Sequence, residues 1–267
     1  MPFAGVNGQK LYYEVGGSGD TAVLLHGSFA DADIMEAPAT GLASGFRAIR
    51  IDRRGWGRSS PVDGPVSMAA EADDLAALLD WFGVTETHLL THDDGAEVAL
   101  EFCLRHPGRA KNVGLLAPIV EGCSKFPEAV AARADLLAAV RTDPRKGIDE
   151  KFIATPIFDV VREREGMVDR VGALFRKGAG TAYKYDRPPT SPTLFERLPQ
   201  VEATVAVLVG DRDELDRLHC AETIADAIPG AELITFPGLS RFLHIEESRM
   251  VMRRLTDFYI PELEIER

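Results

Sequence analysis

The chain has few cysteines, no long apolar run and no excess of basic residues. Its three cysteines, Cys103, Cys123 and Cys220, are too few and too scattered for a disulfide framework or a zinc knuckle, and an odd number of cysteines cannot all pair. We therefore expect unpaired cysteines, no metal and a reducing compartment. No window reaches about 18 consecutive apolar residues, and the opening stretch MPFAGVNGQKLYYEV is polar where a signal peptide needs an apolar segment. We expect a cytoplasmic protein.

The acidic charge balance limits the classes of partner. A formal net charge of −12 at pH 7 argues against nucleic acid and anionic membrane surfaces, because both are bound through basic patches. Of the 267 residues, 45% are hydrophobic and 27% are charged, which supplies enough apolar material for a sizeable core. Single α/β domains of this length are common. We expect a small-molecule substrate and no cofactor, and a homodimer stays open as a protein assembly.

The apolar pattern predicts an α/β fold with a helical insertion. Short apolar runs such as TAVLLHG and TVAVLVG alternate with amphipathic helices, one of which begins after the N-cap Ser67 and ends at Gly83. This alternation indicates right-handed crossovers and a mostly parallel sheet with helices on both faces. A helical, Arg- and Lys-rich interval that returns through DRPPTSP breaks the alternation. We expect this interval, 119–198, to be a cap or lid inserted between the core segments 1–118 and 199–267.

The stretch HLLTHDDGAEVALEF, residues 88–102, predicts a strand, a tight turn and a helix. In a nucleophile elbow of the G-x-S-x-G type, the residue at the tip is held at a strained corner, and its side-chain oxygen projects above the sheet. Here the tip is Asp93, followed by Asp94 and Gly95. We expect Asp93 at a strained corner between strand and helix. We also expect a pocket between the lid and the carboxyl ends of the strands.

Several ordered motifs make the chain resemble the α/β-hydrolase superfamily over nearly its whole length. LLHGSF resembles the family's oxyanion turn, and IDRRGWGRSS resembles its D-x-R-G-x-G-x-S turn. VLVGDRDEL resembles the strand that delivers the catalytic acid, and FPGLSRFLHIEES resembles the loop that delivers the base. The resemblance implies Asp93 at the nucleophile position, Asp213 at the acid position, Arg241 at the position of the catalytic histidine, and His244 at a second, usually structural, histidine.

The resemblance also implies an oxyanion hole. Its donors would be the backbone N–H of Ser28 or Phe29, together with the backbone N–H of Asp94. The side chain of Asp94 is unusual at this position. A second carboxylate beside Asp93 would repel a halide or a substrate carboxylate.

Aspartate at the nucleophile position occurs in the family branches that resemble haloalkane dehalogenases and epoxide hydrolases. There the carboxylate forms an ester with the substrate, and a histidine then activates water against that ester. Arg241 stays protonated at any working pH and cannot act as this base. General-base assistance is worth roughly 100- to 10,000-fold. Turnover by this route should therefore be poor, unless His244 supplies the missing imidazole.

Arg241 instead suggests an ion network. A guanidinium has five donors and could bridge two carboxylates. We expect Arg241 within salt-bridge reach of Asp213 or Asp93, because the position that it fills normally contacts both.

Three functions stay open at this point. The first is an enzyme that hydrolyses an ester, a lactone or an epoxide with a non-standard triad of Asp93, Asp213 and Arg241. The second is a non-hydrolytic isomerase, cyclase or lyase of a biosynthetic pathway, in which Asp93 or Asp94 moves a proton. The third is a ligand-binding protein that has lost catalysis. The fold alone does not decide among them.

Overall fold

One twisted sheet carries the fold. The computed structural model describes residues 2–178 and 180–260, and their eight strands follow the order β1-β2-β4-β3-β5-β6-β7-β8. β1 pairs with β2 and β2 with β4 in antiparallel fashion, whereas all pairs from β4 through β8 are parallel. The strands are β1 (Phe3–Val6), β2 (Gln9–Gly16), β3 (Asp20–Leu25), β4 (Phe46–Ile51), β5 (Thr87–His92), β6 (Ala110–Leu116), β7 (Thr204–Gly210) and β8 (Glu232–Phe236). The predicted mostly parallel sheet is confirmed.

Helices cover both faces of the sheet. The α-helices are α1 (Glu36–Leu42), α2 (Met68–Trp81), α3 (Gly95–Arg105), α4 (Pro127–Thr142), α5 (Pro144–Ile148), α6 (Asp159–Arg162), α7 (Met167–Lys177), α8 (Leu194–Arg197), α9 (Leu215–Ala227), α10 (Leu243–Glu246) and α11 (Ser248–Tyr259). The apolar side chains of α2, α3 and α9 form one buried core, and those of α1 and α11 belong to a second. The sheet therefore has a core on each face, as parallel sheets require.

The cap of α2 follows the sequence prediction. The Ser67 side chain accepts a hydrogen bond from the backbone N–H of Ala70 at 3.1 Å, and the chain turns out of the helix at Gly83 with φ +65°. Such a capping bond satisfies one of the free N–H groups at a helix start.

The segment between β6 and β7 holds helices α4 to α8, and we call residues 119–198 the lid, with the limits predicted from the sequence. Three phenylalanines of the lid pack together, with Phe152 and Phe175 at 4.7 Å between ring centroids. Phe158 packs on Phe242 at 5.0 Å. Phe242 directly follows Arg241, so the lid rests on the loop that carries this arginine.

Two of the three cysteines are paired. Cys123, at the start of the lid, and Cys220, in α9, form a disulfide with a Cα–Cα distance of 5.4 Å, and Cys103 is free and buried. The expectation of unpaired cysteines is wrong for this pair. The two residues are 97 positions apart, so no spacing pattern marks them as partners. The disulfide joins the start of the lid to α9.

Two features are absent from residues 2–178 and 180–260. No helix in these ranges is both long enough and apolar enough to cross a membrane. In the same ranges, no group of three or more His, Cys, Asp and Glu side chains is arranged to hold a metal ion.

Candidate active site

Asp93 occupies a strained corner at the end of β5. Its φ is +54°, in the left-handed region that side chains other than glycine rarely adopt. The backbone N–H of Asp93 donates to the carbonyl of Leu116 at 3.1 Å, which ties the corner to the next strand. A Cβ atom on Gly27 would lie 2.6 Å from the Cβ of Asp93, so glycine is needed opposite the corner. The predicted strained corner is confirmed.

The carboxylate of Asp93 is paired with Arg217 of α9. The Nη1 of Arg217 lies 2.5 Å from Oδ1 of Asp93 and also contacts the carbonyl of Ala117 at 3.4 Å. The side chain of Arg217 is 5% exposed, and that of Asp93 is 23% exposed. Arg217 was not predicted from the sequence, because only the fold brings the first turn of α9 against the elbow.

Arg241 is the centre of a second ion pair. Its Nε lies 3.3 Å from Oδ1 of Asp213, and its Nη2 lies 2.6 Å from Oε2 of Glu214. Burial opposes the charge of Arg241, but Asp213 and Glu214 outweigh burial and raise its pKa. The predicted reach of Arg241 to Asp213 is confirmed. The suggested bridge from Arg241 to both Asp213 and Asp93 is wrong, because Asp93 pairs with Arg217 instead.

Asp94 turns its carboxylate onto the oxyanion turn. The backbone N–H of Ser28 donates to Oδ1 of Asp94 at 2.6 Å, and the Ser28 hydroxyl donates to Oδ2. Nη1 of Arg53 lies 3.3 Å from the same Oδ1. Burial would raise the pKa of Asp94, but Arg53, Arg187 and the Ser28 bonds hold it well below its usual range. The N–H of Ser28, predicted as an oxyanion donor, is thus engaged by a carboxylate of the protein itself.

His244 lies outside the cavity. It has no exposed surface, neither ring nitrogen has a hydrogen-bond partner, and its ring packs 4.5 Å from that of His92. Burial and His92 lower the pKa of His244 well below its ordinary value. His92 in turn contacts the carbonyl of Arg241 through Nε2 at 3.2 Å. This position gives no support to His244 as the missing base.

Asp94 belongs to a partly buried network of five charged groups, which we call the acidic network. Its members alternate in charge and are Asp94, Arg53, Glu71, Arg187 and Glu97. Arg53 Nε lies 2.8 Å from Glu71, Arg187 Nη2 lies 2.5 Å from Glu71, and Arg187 Nη1 contacts Glu97. Three carboxylates share two guanidinium groups. Burial, with Asp94 and Glu71 adding to it, raises the pKa of Glu97 to about 7.

A cavity of about 680 Å³ joins these groups. Its volume is within the range that small-molecule sites occupy. The predicted site residues that line it are Ser28, Phe29, Asp93, Asp94 and Arg241. Glu97, Arg187 and Arg217, which the sequence analysis missed, line it as well. No histidine is among the described residues that line the cavity.

The sheet order, the elbow after β5 and the cavity under a helical lid define an α/β enzyme fold with its site at the carboxyl ends of the strands. A family model described as "Alpha/beta hydrolase family" matches residues 22–253. The chain therefore belongs to the α/β-hydrolase family, as its motifs predicted.

Relatives cover nearly the whole chain. A 2-hydroxy-6-oxononadienedioate/2-hydroxy-6-oxononatrienedioate hydrolase of Pseudomonas putida is 24% identical over 94% of this chain and 91% of its own. A putative carbamate hydrolase RutD of Variovorax paradoxus is 28% identical over 93% of this chain and 95% of its own. An esterase from Thermogutta terrifontis shares the fold, with a TM-score of 0.81 at 23% identity over 97% of this chain and 96% of that one. These hydrolases and esterases confirm the predicted class, an enzyme of the α/β-hydrolase family.

Proposed function

We propose that the protein is a small-molecule enzyme whose atypical triad of Asp93, Asp213 and Arg241 supports proton transfer rather than acyl transfer. Its reaction is that of an isomerase, a cyclase or a lyase. The observation that carries this proposal is the carboxylate of Asp94 on the backbone N–H of Ser28, at 2.6 Å.

Ester or lactone hydrolysis through a tetrahedral intermediate needs free N–H donors for the oxyanion. Loss of a single oxyanion donor costs roughly 100- to 1,000-fold in kcat. Here the N–H of Ser28 already donates to the Asp94 carboxylate. The Asp94 carboxylate thus removes one of the oxyanion donors that acyl transfer needs.

Water activation is weakened at the same site. Arg241 cannot accept a proton, and its guanidinium is committed to Asp213 and Glu214. Among the described lining residues there is no imidazole to replace it. A covalent ester on Asp93 would therefore lack the group that normally hydrolyses it.

Proton transfer needs a carboxylate base and nearby positive charges, and the cavity supplies both. Oδ2 of Asp93 accepts a proton from a carbon next to a substrate carbonyl, while Oδ1 stays bonded to Arg217. The C–H bond breaks, and its electron pair moves onto the carbonyl oxygen as an enolate, which the charges of Arg217 and Arg241 stabilise. Return of the proton to another carbon completes an isomerisation. In a lyase reaction the enolate instead re-forms the carbonyl and a C=C bond, and the leaving group departs from the β-carbon with the electron pair of its bond and takes the proton from Asp93.

Hydrolysis of an ester, a lactone or an epoxide is the second candidate. The names of the relatives favour it, since they include hydrolases and esterases, and a fold neighbour at 25% identity is named an N-acyl homoserine lactone degrading enzyme. Ligand binding without catalysis is the third candidate.

One experiment separates the three. The wild type and Asp93→Asn are incubated in D₂O with a panel of small keto acids and ketones, and deuterium incorporation is followed by NMR. In parallel, nitrophenyl esters, lactones and epoxides are assayed for hydrolysis. We expect incorporation that the Asp93→Asn variant loses, without hydrolysis. Hydrolysis that depends on Asp93 would support the second candidate and contradict ours, and binding without either reaction would support the third.

A further inference from the structure

Six cationic side chains line the cavity, and four of them already have a carboxylate partner. These four pairs are Arg141–Asp186 at 2.6 Å, Arg187–Glu71 at 2.5 Å, Arg217–Asp93 at 2.5 Å and Arg241–Glu214 at 2.6 Å. The other two are Arg133 and Lys151, for which no carboxylate of the described residues lies within salt-bridge distance. Their charges are therefore available to a ligand.

Arg133 projects from α4, whose neighbouring lining residues Leu136 and Leu137 are apolar. It is exposed to solvent and lines the same cavity as Asp93, Arg217 and Arg241, so a ligand in the cavity can reach it. Partial desolvation and the charges of Arg217 and Arg241 lower the pKa of Arg133, whereas Asp93 acts in the opposite direction.

A guanidinium keeps its proton in proteins, so Arg133 stays positively charged beside the other cationic side chains of the cavity. No carboxylate of the described residues pairs with Arg133, so its charge can attract an anion in the cavity. A planar fork of N–H donors fits a carboxylate with two parallel hydrogen bonds.

We propose that Arg133 is a substrate-binding residue of the lid that holds a carboxylate group of the substrate in front of Asp93. This inference rests on the proposed function, because it orients a carboxylic acid substrate for proton transfer to Asp93. A monoanion is favoured over a phosphate dianion, since Asp93, Asp94 and Glu97 line the same cavity and repel a second negative charge. The apolar part of the substrate lies against Leu136 and Leu137 of α4.

The test compares 3-phenylpropionate with its neutral analogue, 3-phenylpropanamide, by titration calorimetry on the full chain. We expect the wild type to bind the carboxylate at least about tenfold more tightly than the amide. Arg133→Met should lose this preference. Arg145→Met is the matched control, because Arg145 lies on the same lid, in α5, but does not line the cavity, and it should keep the preference. Arg133→Lys retains the positive charge but lacks the planar fork of N–H donors, so its preference for the carboxylate should lie between those of the wild type and Arg133→Met. This variant provides the test if Arg133→Met fails to fold.

Two results would overturn the inference: a wild type without preference for the carboxylate, or an Arg133→Met variant that retains it. Displacement of 3-phenylpropionate by inorganic phosphate at equal concentration would overturn the choice of a carboxylate. The deuterium experiment keeps the two proposals apart. Carboxylate binding that depends on Arg133 without deuterium exchange contradicts the proposed function alone, and exchange that is as fast in Arg133→Met as in the wild type contradicts the carboxylate site alone.

Discussion

Replacing Glu97 by Gln should make the protein more stable at neutral and alkaline pH. Glu97 lines the cavity, its side chain is 13% exposed, and its Oε2 contacts Arg187 of the lid. The acidic network holds three carboxylates and two guanidinium groups, so one negative charge is not compensated. The glutamine side chain would remove this charge and still fill the same volume.

The sign and size of the effect follow from the pKa of Glu97, which rises from 4.5 to about 7 in the folded protein. A raised pKa means that the folded state binds the proton more tightly than the unfolded state. The corresponding stability is fully present below pH 4.5 and is lost as the pH rises through about 7. A shift of this size corresponds to about 3 kcal/mol. The advantage of Glu97→Gln over the wild type should grow by up to this amount between pH 5 and 8.

Urea unfolding of both proteins at a series of pH values measures this difference directly. The quantity to compare is the difference in unfolding free energy between the variant and the wild type at each pH. Other groups titrate in both proteins, and their contributions cancel in this difference. Glu202→Gln is the control, since Glu202 is exposed on the surface between α8 and β7, and its difference from the wild type should not change with pH. A difference for Glu97→Gln that stays constant with pH, or that shrinks as the pH rises, would refute the assignment of an uncompensated charge.

Three further predictions concern the cysteines, His244 and Asp93. Thiol titration of the denatured chain should give one free thiol before reduction and three after it, because only Cys103 is unpaired; three thiols without reductant would contradict the disulfide. His244→Gln should leave deuterium exchange within about twofold of the wild type, because His244 does not line the cavity; a loss of more than about 100-fold would restore it as a base. A reactive epoxide or alkyl halide should either be ignored or remain attached to Asp93 in intact-mass spectra; rapid turnover without an adduct would show that a base exists.

The sequence predicted the framework because the fold is encoded locally. Apolar runs, the cap at Ser67 and the turn at Gly95 each act over a few residues, and the family motifs fix their order. The strained corner at Asp93 and the reach of Arg241 to Asp213 followed from the same motifs.

The polar partners in the cavity could not be predicted in this way. Arg217 meets Asp93 across 124 residues, and Arg187 meets Glu71 across 116. An ion pair requires only that two opposite charges lie close together in the folded protein. Residues so far apart in the sequence therefore form no motif that could be recognised. The contact of Asp94 is one of these partners: the Ser28 N–H was predicted as an oxyanion donor, but it donates to the Asp94 carboxylate across 66 residues.

The changes at the site are coupled, and this bears on any attempt to restore hydrolysis. Arg241→His alone would supply an imidazole, but Glu214 would lose its guanidinium partner and the Asp94 carboxylate would still occupy the N–H of Ser28. Asp94→Gly alone would free that N–H and leave Arg53 with one carboxylate fewer. Arg241→His would also remove the guanidinium from the buried Asp213 carboxylate, and a buried carboxylate without its partner costs several kcal/mol. Asp94→Gly would instead leave two carboxylates, Glu71 and Glu97, for the two guanidinium groups of the acidic network. The site is therefore better described as a set of linked ion pairs than as a hydrolytic triad with one part missing.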